Sequence, residues 1–314
     1  MPPGGFDAVE WEQWAARGPG TAPPPPELVR AAAGAGPVPP GEVEEVYLPL
    51  CRLLAERFGG GHPPPRPARG GAVPPFVLGI AGGVAVGKST SARVLRALLR
   101  GGHGGPTVEL LGTDAFLHPN YVLAARGLLG RKGFPESYDH RSLVASLDAI
   151  RSGVSEVAVP VYSHLAYDIV PGRSHSIREP DVLIVEGLNV LQAPAGDRAD
   201  GPAAVSDYLD ASIYVDASEQ DAGRWFRERL FALRAGSTPE AGEIIRWLST
   251  LSDVEAGAVA EATWTEVNLV NMRQHVAPTR DRAQVILEKD GRHRVVRVLV
   301  ARRRPRPSRS PSPT

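Results

Sequence analysis

The chain has 314 residues, of which 42% are hydrophobic, enough to bury the core of one large domain or two small ones. Basic and acidic residues balance at 35 each, so net charge predicts neither a nucleic-acid partner nor binding to an anionic membrane. The single cysteine, Cys51, excludes an internal disulfide, and no apolar run reaches the roughly 18 residues that would predict a membrane span. With no signal-peptide pattern at the start, these features predict a cytoplasmic protein.

Residues 1–75 are predicted to form an N-terminal helical segment interrupted by proline-rich linkers. Apolar residues recur at helical spacing within "EVEEVYLPLCRLLAERF", residues 42–58, and Pro49 is expected to kink or split that helix. The proline-rich stretches at 17–29, 34–41 and 59–75 are predicted to be connectors. At the other end, residues 302–314 form a charged, Pro/Ser-rich stretch that is predicted to be a disordered basic tail.

From Phe76 onward the pattern changes to short apolar runs separated by helical segments. The runs at 76–82, 107–114, 181–191 and 211–218 alternate little, which is typical of parallel strands buried on both faces. Helical patterns lie between or after them at 89–99, 140–151 and 219–234. This alternation predicts an α/β domain over residues 76–301, with a doubly wound, mostly parallel sheet flanked by helices.

A phosphate-binding loop follows the first of these strands. The stretch "GGVAVGKS", residues 82–89, matches G-x-x-x-x-G-K-[ST], in which backbone N–H groups and a helix N-terminus surround phosphate oxygens. The lysine of the motif reaches the β- and γ-phosphates of ATP, and its serine hydroxyl helps to hold Mg²⁺. The residues that we expect at the nucleotide are Gly82, Gly83, Val84, Ala85, Val86, Gly87, Lys88, Ser89 and Thr90.

The loop alone does not distinguish a kinase from a nucleotide switch or a motor. Asp114 ends the second predicted strand, where a carboxylate could accept the proton of a substrate hydroxyl; the alternative is an Asp that only caps a helix. Glu186 ends the third strand, where it could support Mg²⁺ or serve a structural pairing. In "PVYSHLAYDIV", His164 lies among aromatic residues, which for a lone histidine more often indicates a structural position.

Taken together, these motifs resemble those of bacterial type I pantothenate kinase, a P-loop kinase related to phosphoribulokinase and uridine kinase. The matching stretches span residues 6–287 and include "IAGGVAVGKSTSARVL", "TDAFLHPN", "RGLLGRKGFPESYD", "PVYSHLAYDIV", "DVLIVEGLNVLQ" and "APTRDRAQVIL". The resemblance implies a P-loop NTPase-type fold with a helical lid at about residues 219–275. It also implies phosphorylation of pantothenate to 4'-phosphopantothenate by ATP and Mg²⁺, a homodimer, and feedback inhibition by coenzyme A.

The resemblance also implies roles for individual residues. Lys88, Asp114 and Arg229 match the catalytic positions, with Asp114 as the general base for the pantothenate hydroxyl. Ser89 and Glu186 fall on the Mg²⁺ side of the site. Substrate-binding positions correspond to Lys132, Tyr162, His164, Tyr167, Phe226 and Asn268, and Arg93 matches an arginine linked to inhibition by coenzyme A.

The chain departs from the family's pattern in the lid. Phe226 stands where the family usually has a tyrosine, and Leu230 and Leu233 replace phenylalanines. Loss of that phenol removes one hydrogen bond to a polar substrate, worth about 0.5–1.5 kcal/mol. The altered lid therefore leaves open a related kinase acting on a nucleoside or sugar. A nucleotide-binding regulator that has lost phosphoryl transfer is the alternative from another class of protein.

Overall fold

The computed structural model describes residues 5–9, 13–14, 38–58, 74–101, 105–193, 203–238 and 241–302. The linkers predicted at 17–29, 34–41 and 59–75 and the tail predicted at 302–314 lie outside the described residues, apart from a few at their ends. No helix within the described ranges combines the length and the apolar character that a bilayer crossing requires.

A seven-stranded sheet forms the centre of the protein, and a two-stranded hairpin lies apart from it. The strands in chain order are β1 (Phe6–Ala8), β2 (Phe76–Gly82), β3 (Val108–Gly112), β4 (Glu156–Ser163), β5 (Asp168–Arg178), β6 (Val182–Glu186), β7 (Ala211–Asp216), β8 (Val285–Lys289) and β9 (Val295–Ala301). The order across the sheet is β1-β9-β8-β7-β2-β6-β3, and β4 pairs with β5 in the hairpin. Strands β2, β3, β6, β7 and β8 run parallel, whereas β9 and β1 are antiparallel additions at one edge.

The parallel strands are apolar because they are covered on both faces. In β2, all residues from Val77 to Gly82 are buried, and β6 is buried from Val182 to Val185. The four predicted runs each contain one of these strands, which confirms the mostly parallel α/β fold. Since the strands are parallel, the carboxyl ends of β2, β3 and β6 meet at the same edge, and the phosphate-binding loop, Asp114 and Glu186 follow these three ends.

Helices connect the strands. They are α1 (Leu48–Phe58), α2 (Lys88–Arg100), α3 (Asn120–Ala125), α4 (His140–Arg151), α5 (Glu219–Ala235), α6 (Glu243–Thr250), α7 (Asp253–Ala262) and α8 (Leu269–Asn271). The π-helical segments Thr263–Asn268 and Met272–Val276 extend α8 in both directions. Side-chain caps begin several helices: Asp139 accepts from Ser142 N before α4, and Ser218 accepts from Asp221 N before α5.

The N-terminal segment packs into the same core as the sheet. A π-helical turn, Val43–Tyr47, runs directly into α1, and the change of helix type lies just before Pro49. The apolar residues that set its helical spacing are all buried in that core: Val43, Val46, Leu50, Leu53 and Leu54. In addition, the Tyr47 hydroxyl lies 2.8 Å from Ser91 Oγ on α2, so this segment is fixed to the helix that begins at the phosphate-binding loop.

A second, smaller apolar cluster joins the hairpin to the lid. Ala241, Ile245 and Leu248 are buried there, and the partly buried side chains packed against them include Leu165 and Tyr167 from the hairpin and Leu230 and Leu233 from α5. The backbones also meet, because Gly242 N donates to Leu165 O at 3.0 Å. A Cβ on Gly242 would lie 1.8 Å from Ala166 O, so only glycine permits this approach.

Candidate active site

The backbone of the phosphate-binding loop depends on two glycines. Gly82 has φ 145°, and a Cβ at this position would lie 2.3 Å from Val215 O. Gly87 has φ 98° and is the N-cap of α2. Both conformations favour glycine, and together they bring the loop to the N-terminus of α2. The geometry is that of an anion site, in which free N–H groups and the helix dipole favour negative charge.

Lys88 lies within this loop. Its Nζ donates to Gly83 O at 2.6 Å. Burial lowers the pKa of Lys88, the carboxylates of Glu186 and Asp114 oppose this effect, and the guanidinium of Arg229 adds to it. The charges of Glu186, Asp114 and Arg229 therefore all reach Lys88.

Ser89 and Glu186 are joined directly. Ser89 Oγ donates to Glu186 Oε1 at 2.7 Å, and burial raises the pKa of Glu186 while Lys88 opposes the change. A hydroxyl and a carboxylate beside a phosphate loop suit Mg²⁺, which takes one or two carboxylates plus phosphate oxygens rather than a complete protein cage. The described residues contain no group of three or more His, Cys, Asp or Glu side chains arranged to hold a metal ion.

Asp114 lies on the 3₁₀ turn Thr113–Phe116 that follows β3. The N-cap of this turn is Gly112, with no side-chain cap bond, so Asp114 does not serve the helix-capping role that was its alternative. Tyr138 Oη donates to Asp114 Oδ1 at 3.3 Å, and burial together with Asp114 raises the pKa of Tyr138. The carboxylate thus has one neutral donor beside it, and its charge acts on the pKa of Lys88.

Lys132 is held by the hairpin and by α3. Its Nζ donates to Asn120 Oδ1 at 2.7 Å and to Tyr167 O at 2.5 Å. The ammonium also lies 4.4 Å from the ring centroid of Tyr167 and 5.1 Å from that of Tyr162. Burial lowers the pKa of Lys132 to about 8, against the opposing charges of Asp168 and Asp114.

His164 lies in the turn of the hairpin and is an exposed residue. Its ring meets that of Tyr162 edge-on, with centroids 5.2 Å apart. The surrounding protein reduces hydration of the imidazolium, and this effect, followed by the charge of Arg229, lowers the pKa of His164 to about 4. The imidazole is therefore neutral at pH 7 and can donate or accept a hydrogen bond.

The helical stretch around α8 contacts both the phosphate loop and the loop of Lys132. Asn271 Nδ2 donates to Gly133 O at 2.8 Å, and a Cβ on Gly83 would lie 3.0 Å from Met272 Sδ. Asn268 Nδ2 is buried without a hydrogen-bond partner. Phe226 packs on Trp264 with ring centroids 6.0 Å apart and against the main core.

The structure gathers most of the predicted site residues at one end of the sheet. Hydrogen bonds, ring contacts or mutual charge effects connect Lys88, Ser89, Arg93, Asp114, Lys132, Tyr162, His164, Tyr167, Glu186 and Arg229. Phe226 and Asn268 lie on the lid helices instead: Phe226 is on α5, where it packs on Trp264, and Asn268 ends the π-helical segment Thr263–Asn268.

Sequence reasoning missed four residues that contact this site. Tyr138 contacts Asp114, and Asn120 contacts Lys132. Asn271 contacts the loop that carries Lys132. Lys289 is the fourth: a Cβ on Gly87 would lie 3.1 Å from its Nζ. The scarcity of lysine was an available signal, because Lys88, Lys132 and Lys289 are the only lysines in the chain.

The nucleotide-binding half of the chain matches a known family. The model of the phosphoribulokinase / uridine kinase family matches residues 77–225. Among solved structures, a D-glycerate 3-kinase from Cryptococcus neoformans var. grubii matches with a TM-score of 0.55 at 14% identity, covering 86% of this chain and 98% of that one. At this level of identity, the likeness supports the fold alone.

Curated relatives extend the match to nearly the whole chain. A pantothenate kinase of Clavibacter michiganensis subsp. michiganensis is 46% identical over 302 residues, covering 94% of this chain and 94% of the relative. A pantothenate kinase of Brevibacillus brevis is 48% identical over 263 residues, covering 81% and 82%. The likeness includes both the phosphate-binding loop and the hairpin with His164, and the chain belongs to the pantothenate kinase family.

Proposed function

We propose that this protein transfers the γ-phosphoryl group of ATP to the primary hydroxyl of pantothenate and so forms 4'-phosphopantothenate, the first step of coenzyme A biosynthesis. The observation that carries the choice of acceptor is the 46% identity over 94% of both chains to a curated pantothenate kinase. It favours pantothenate over a nucleoside or sugar. The retained Lys88, Asp114 and Glu186, which act on one another electrostatically, favour an active enzyme over a non-catalytic regulator.

Asp114 acts as the general base in this proposal. Its carboxylate accepts the proton of the pantothenate hydroxyl as the oxygen attacks the γ-phosphorus, and the bond from that phosphorus to the β,γ-bridging oxygen breaks to leave ADP. Lys88 and Arg229 neutralise the negative charge that spreads over the phosphoryl oxygens during transfer. Positioning and charge supply the catalysis, because phosphoryl transfer requires little covalent chemistry from the protein.

We propose Mg²⁺ as the metal of this reaction, held by the Ser89 hydroxyl and the Glu186 carboxylate together with phosphate oxygens. The 2.7 Å contact between Ser89 Oγ and Glu186 Oε1 supports this assignment, since it places a hydroxyl and a carboxylate oxygen side by side at the loop. When bound, Mg²⁺ neutralises phosphate charge and orients the β- and γ-phosphates. Gly82 to Thr90 enclose the phosphates of ATP.

The acceptor site is proposed to lie between the hairpin, α3 and the lid. Lys132, Tyr162, His164 and Tyr167 line it, and the neutral imidazole of His164 hydrogen-bonds a hydroxyl of pantothenate. Phe226 and Asn268 border the far end of the site. The buried, unpartnered Nδ2 of Asn268 supports a polar contact there, because such a donor costs about 1–3 kcal/mol when left unpaired.

Three further proposals concern regulation and assembly. Coenzyme A is expected to inhibit through Arg93, whose charge reaches both Glu186 and His164; Arg93→Ala should relieve that inhibition.

A homodimer is expected, and light scattering at several protein concentrations tests it. The proposed cytoplasmic location follows from the use of ATP, and fractionation of the producing cells tests it.

The experiment that tests the function is ADP release by the purified protein with MgATP and one acceptor at a time. Pantothenate is expected to stimulate release, whereas uridine, ribulose 5-phosphate and buffer alone are not. Stimulation by uridine or ribulose 5-phosphate instead would show that the altered lid has redirected the kinase. Binding of ATP without stimulation by any acceptor would favour the regulator.

A further inference from the structure

A buried lysine lies behind the phosphate-binding loop. Lys289, at the end of β8, is 6% exposed, and its Nζ would lie 3.1 Å from a Cβ on Gly87. Burial alone lowers the pKa of Lys289, and the charge of Glu42 opposes this. A buried cation beside a phosphate loop is suited to an anionic ligand in that loop.

Glu42 is hydrogen-bonded to β9 at the residue that pairs with the end of β8. It is 4% exposed, and its Oε2 accepts a hydrogen bond from Val295 N at 2.9 Å. Val295 on β9 is the residue paired with Lys289 across the two strands. The carboxylate is therefore anchored at the strand position opposite the lysine. Burial raises the pKa of Glu42, and Lys289 is the first of the charges that oppose this rise.

We propose that Glu42 is a positioning residue of the nucleotide site, supplying the buried negative charge that balances the Lys289 ammonium beside the phosphate-binding loop. The N-terminal segment, residues 42–58, thus belongs to the nucleotide site, although a proline-rich stretch separates it from the phosphate-binding loop in the sequence. This inference adds a residue to the nucleotide site of the proposed kinase and rests on that proposed function.

Contacts with α2, the helix that follows the phosphate-binding loop, fix the position of Glu42. Glu42 is followed directly by the π-helical turn Val43–Tyr47, and the Tyr47 hydroxyl lies 2.8 Å from Ser91 Oγ, one turn into α2. Val43 and Val46 are buried in the core of the sheet. The segment and the loop are consequently parts of one rigid packing arrangement, and a carboxylate placed by the first keeps a fixed position relative to the second.

The charge of Glu42 matters because an isolated buried ammonium tends to lose its proton. When a neutral amide replaces the Glu42 carboxylate, no negative charge opposes the effect of burial on the Lys289 ammonium. Burial then favours the uncharged amine. An uncharged amine gives up most of its attraction for phosphate. The proposal therefore predicts a loss of nucleotide affinity, with little change in the affinity for the acceptor.

The test compares Glu42→Gln with Glu45→Gln by calorimetric titration of MgADP and by steady-state kinetics. Glutamine at position 42 can still accept from Val295 N, so charge is the main change. Glu45 is the matched control, because it lies one turn away, is exposed, and is 3.8 Å from Arg294 across the same surface. We expect Glu42→Gln to raise the Kd for MgADP and the KM for ATP about tenfold. The KM for pantothenate and all constants of Glu45→Gln should stay within about twofold.

A double-mutant cycle with Lys289→Met separates charge balance from general loss of packing. If Glu42 acts through Lys289, then Glu42→Gln should not weaken MgADP binding further in the Lys289→Met background. An equal, additive loss in both backgrounds overturns the proposal, as does an unchanged Kd for Glu42→Gln. Should Glu42→Gln not fold, the double variant decides alone: its Kd must equal that of Lys289→Met.

MgADP titration and pantothenate turnover distinguish failure of the Glu42 proposal from failure of the proposed kinase function. MgADP titration requires no acceptor, so failure of pantothenate to stimulate turnover would remove the proposed function and leave the effect of Glu42 measurable. Conversely, normal pantothenate turnover with no effect of Glu42→Gln would remove only this inference. Glu42→Asp, which keeps the charge on a shorter side chain, should restore part of the lost affinity.

Discussion

Ser89 Oγ donates to Glu186 Oε1 at 2.7 Å across 97 residues of sequence, and this contact ties the start of α2 to the end of β6. Both groups are positioned by backbone elements of the core, since Glu186 directly follows the buried residues Val182 to Val185. The proposed Mg²⁺ site is therefore built on rigid strands and helices, which limits the reorganisation needed when a metal–nucleotide complex binds.

Replacing Glu186 by glutamine should reduce kcat by roughly 10²–10³-fold, because the amide no longer supplies a negative charge beside the metal. The apparent Mg²⁺ concentration for half-maximal rate should rise as well. Steady-state rates over a Mg²⁺ titration measure both effects. Ser89→Thr, which keeps a hydroxyl, serves as the control and should retain most activity; a Glu186→Gln enzyme with wild-type Mg²⁺ dependence would contradict the assignment.

Asp114→Asn should lower kcat by roughly 10²–10⁴-fold, because the amide cannot accept the proton of the acceptor hydroxyl. Nucleotide affinity should change little, and calorimetry with MgADP measures it independently of turnover. Asp139→Asn is the matched control: Asp139 caps α4 through Ser142 N at 3.0 Å, a role that asparagine can also serve. Equal losses in the two variants would argue against a general base at Asp114.

The rate at low pantothenate concentration should decline as pH rises above about 8. Lys132 has its pKa lowered by burial to about 8, so the ammonium is present below that pH and is lost above it. The pH dependence of kcat/KM for pantothenate measures this decline. Lys132→Arg should remove the decline, because a guanidinium remains charged throughout this range; persistence of the same decline in that variant would assign it to another group.

His164→Ala should raise the KM for pantothenate roughly 3- to 10-fold, the equivalent of one hydrogen bond worth about 0.5–1.5 kcal/mol. The KM for ATP should be unaffected, since the ring lies among hairpin residues next to Tyr162. His175→Ala provides a control in the same hairpin, because His175 is exposed on β5. An unchanged KM for pantothenate in His164→Ala would remove this residue from the acceptor site.

Tyr47→Phe should reduce the free energy of unfolding by roughly 1–3 kcal/mol, because it leaves the fully buried Ser91 hydroxyl without its partner. Urea denaturation measures the loss. The double variant Tyr47→Phe/Ser91→Ala removes both polar groups and should recover much of the stability. Tyr121→Phe, at a tyrosine that is 76% exposed, should have almost no effect.

The parallel strands could be predicted because burial on both faces leaves a continuous apolar run. Leu78 and Ile80 in β2 are both fully buried and lie in such a run. The strand β1 could not be predicted in this way. It has three residues with only Phe6 buried, and its existence depends on pairing with β9 almost 300 residues later, which no local pattern encodes.

In the site, too, residues that are consecutive in sequence could be predicted, whereas contacts between distant residues could not. The phosphate loop could be predicted because its glycines, lysine and serine are consecutive, and their geometry follows from a strand and a helix on either side. The contact of Tyr138 with Asp114, by contrast, forms only when the 3₁₀ turn Pro135–Ser137 folds back so that Tyr138 pairs with Leu117. Asn271 is a still more distant case, since it bonds Gly133 across 138 residues.

The pairing of β1 with β9 also sets an order on folding during synthesis. Phe6 is made long before its partner Ala301, so this edge of the sheet must stay open while the intervening chain is produced. A chain that stopped after Lys289 would lack β9, and would expose the edge of β8 as well as strand β1 without a partner. Such unpaired edges are templates for aggregation, which makes a stalled or truncated chain a hazard to the cell rather than merely an inactive one.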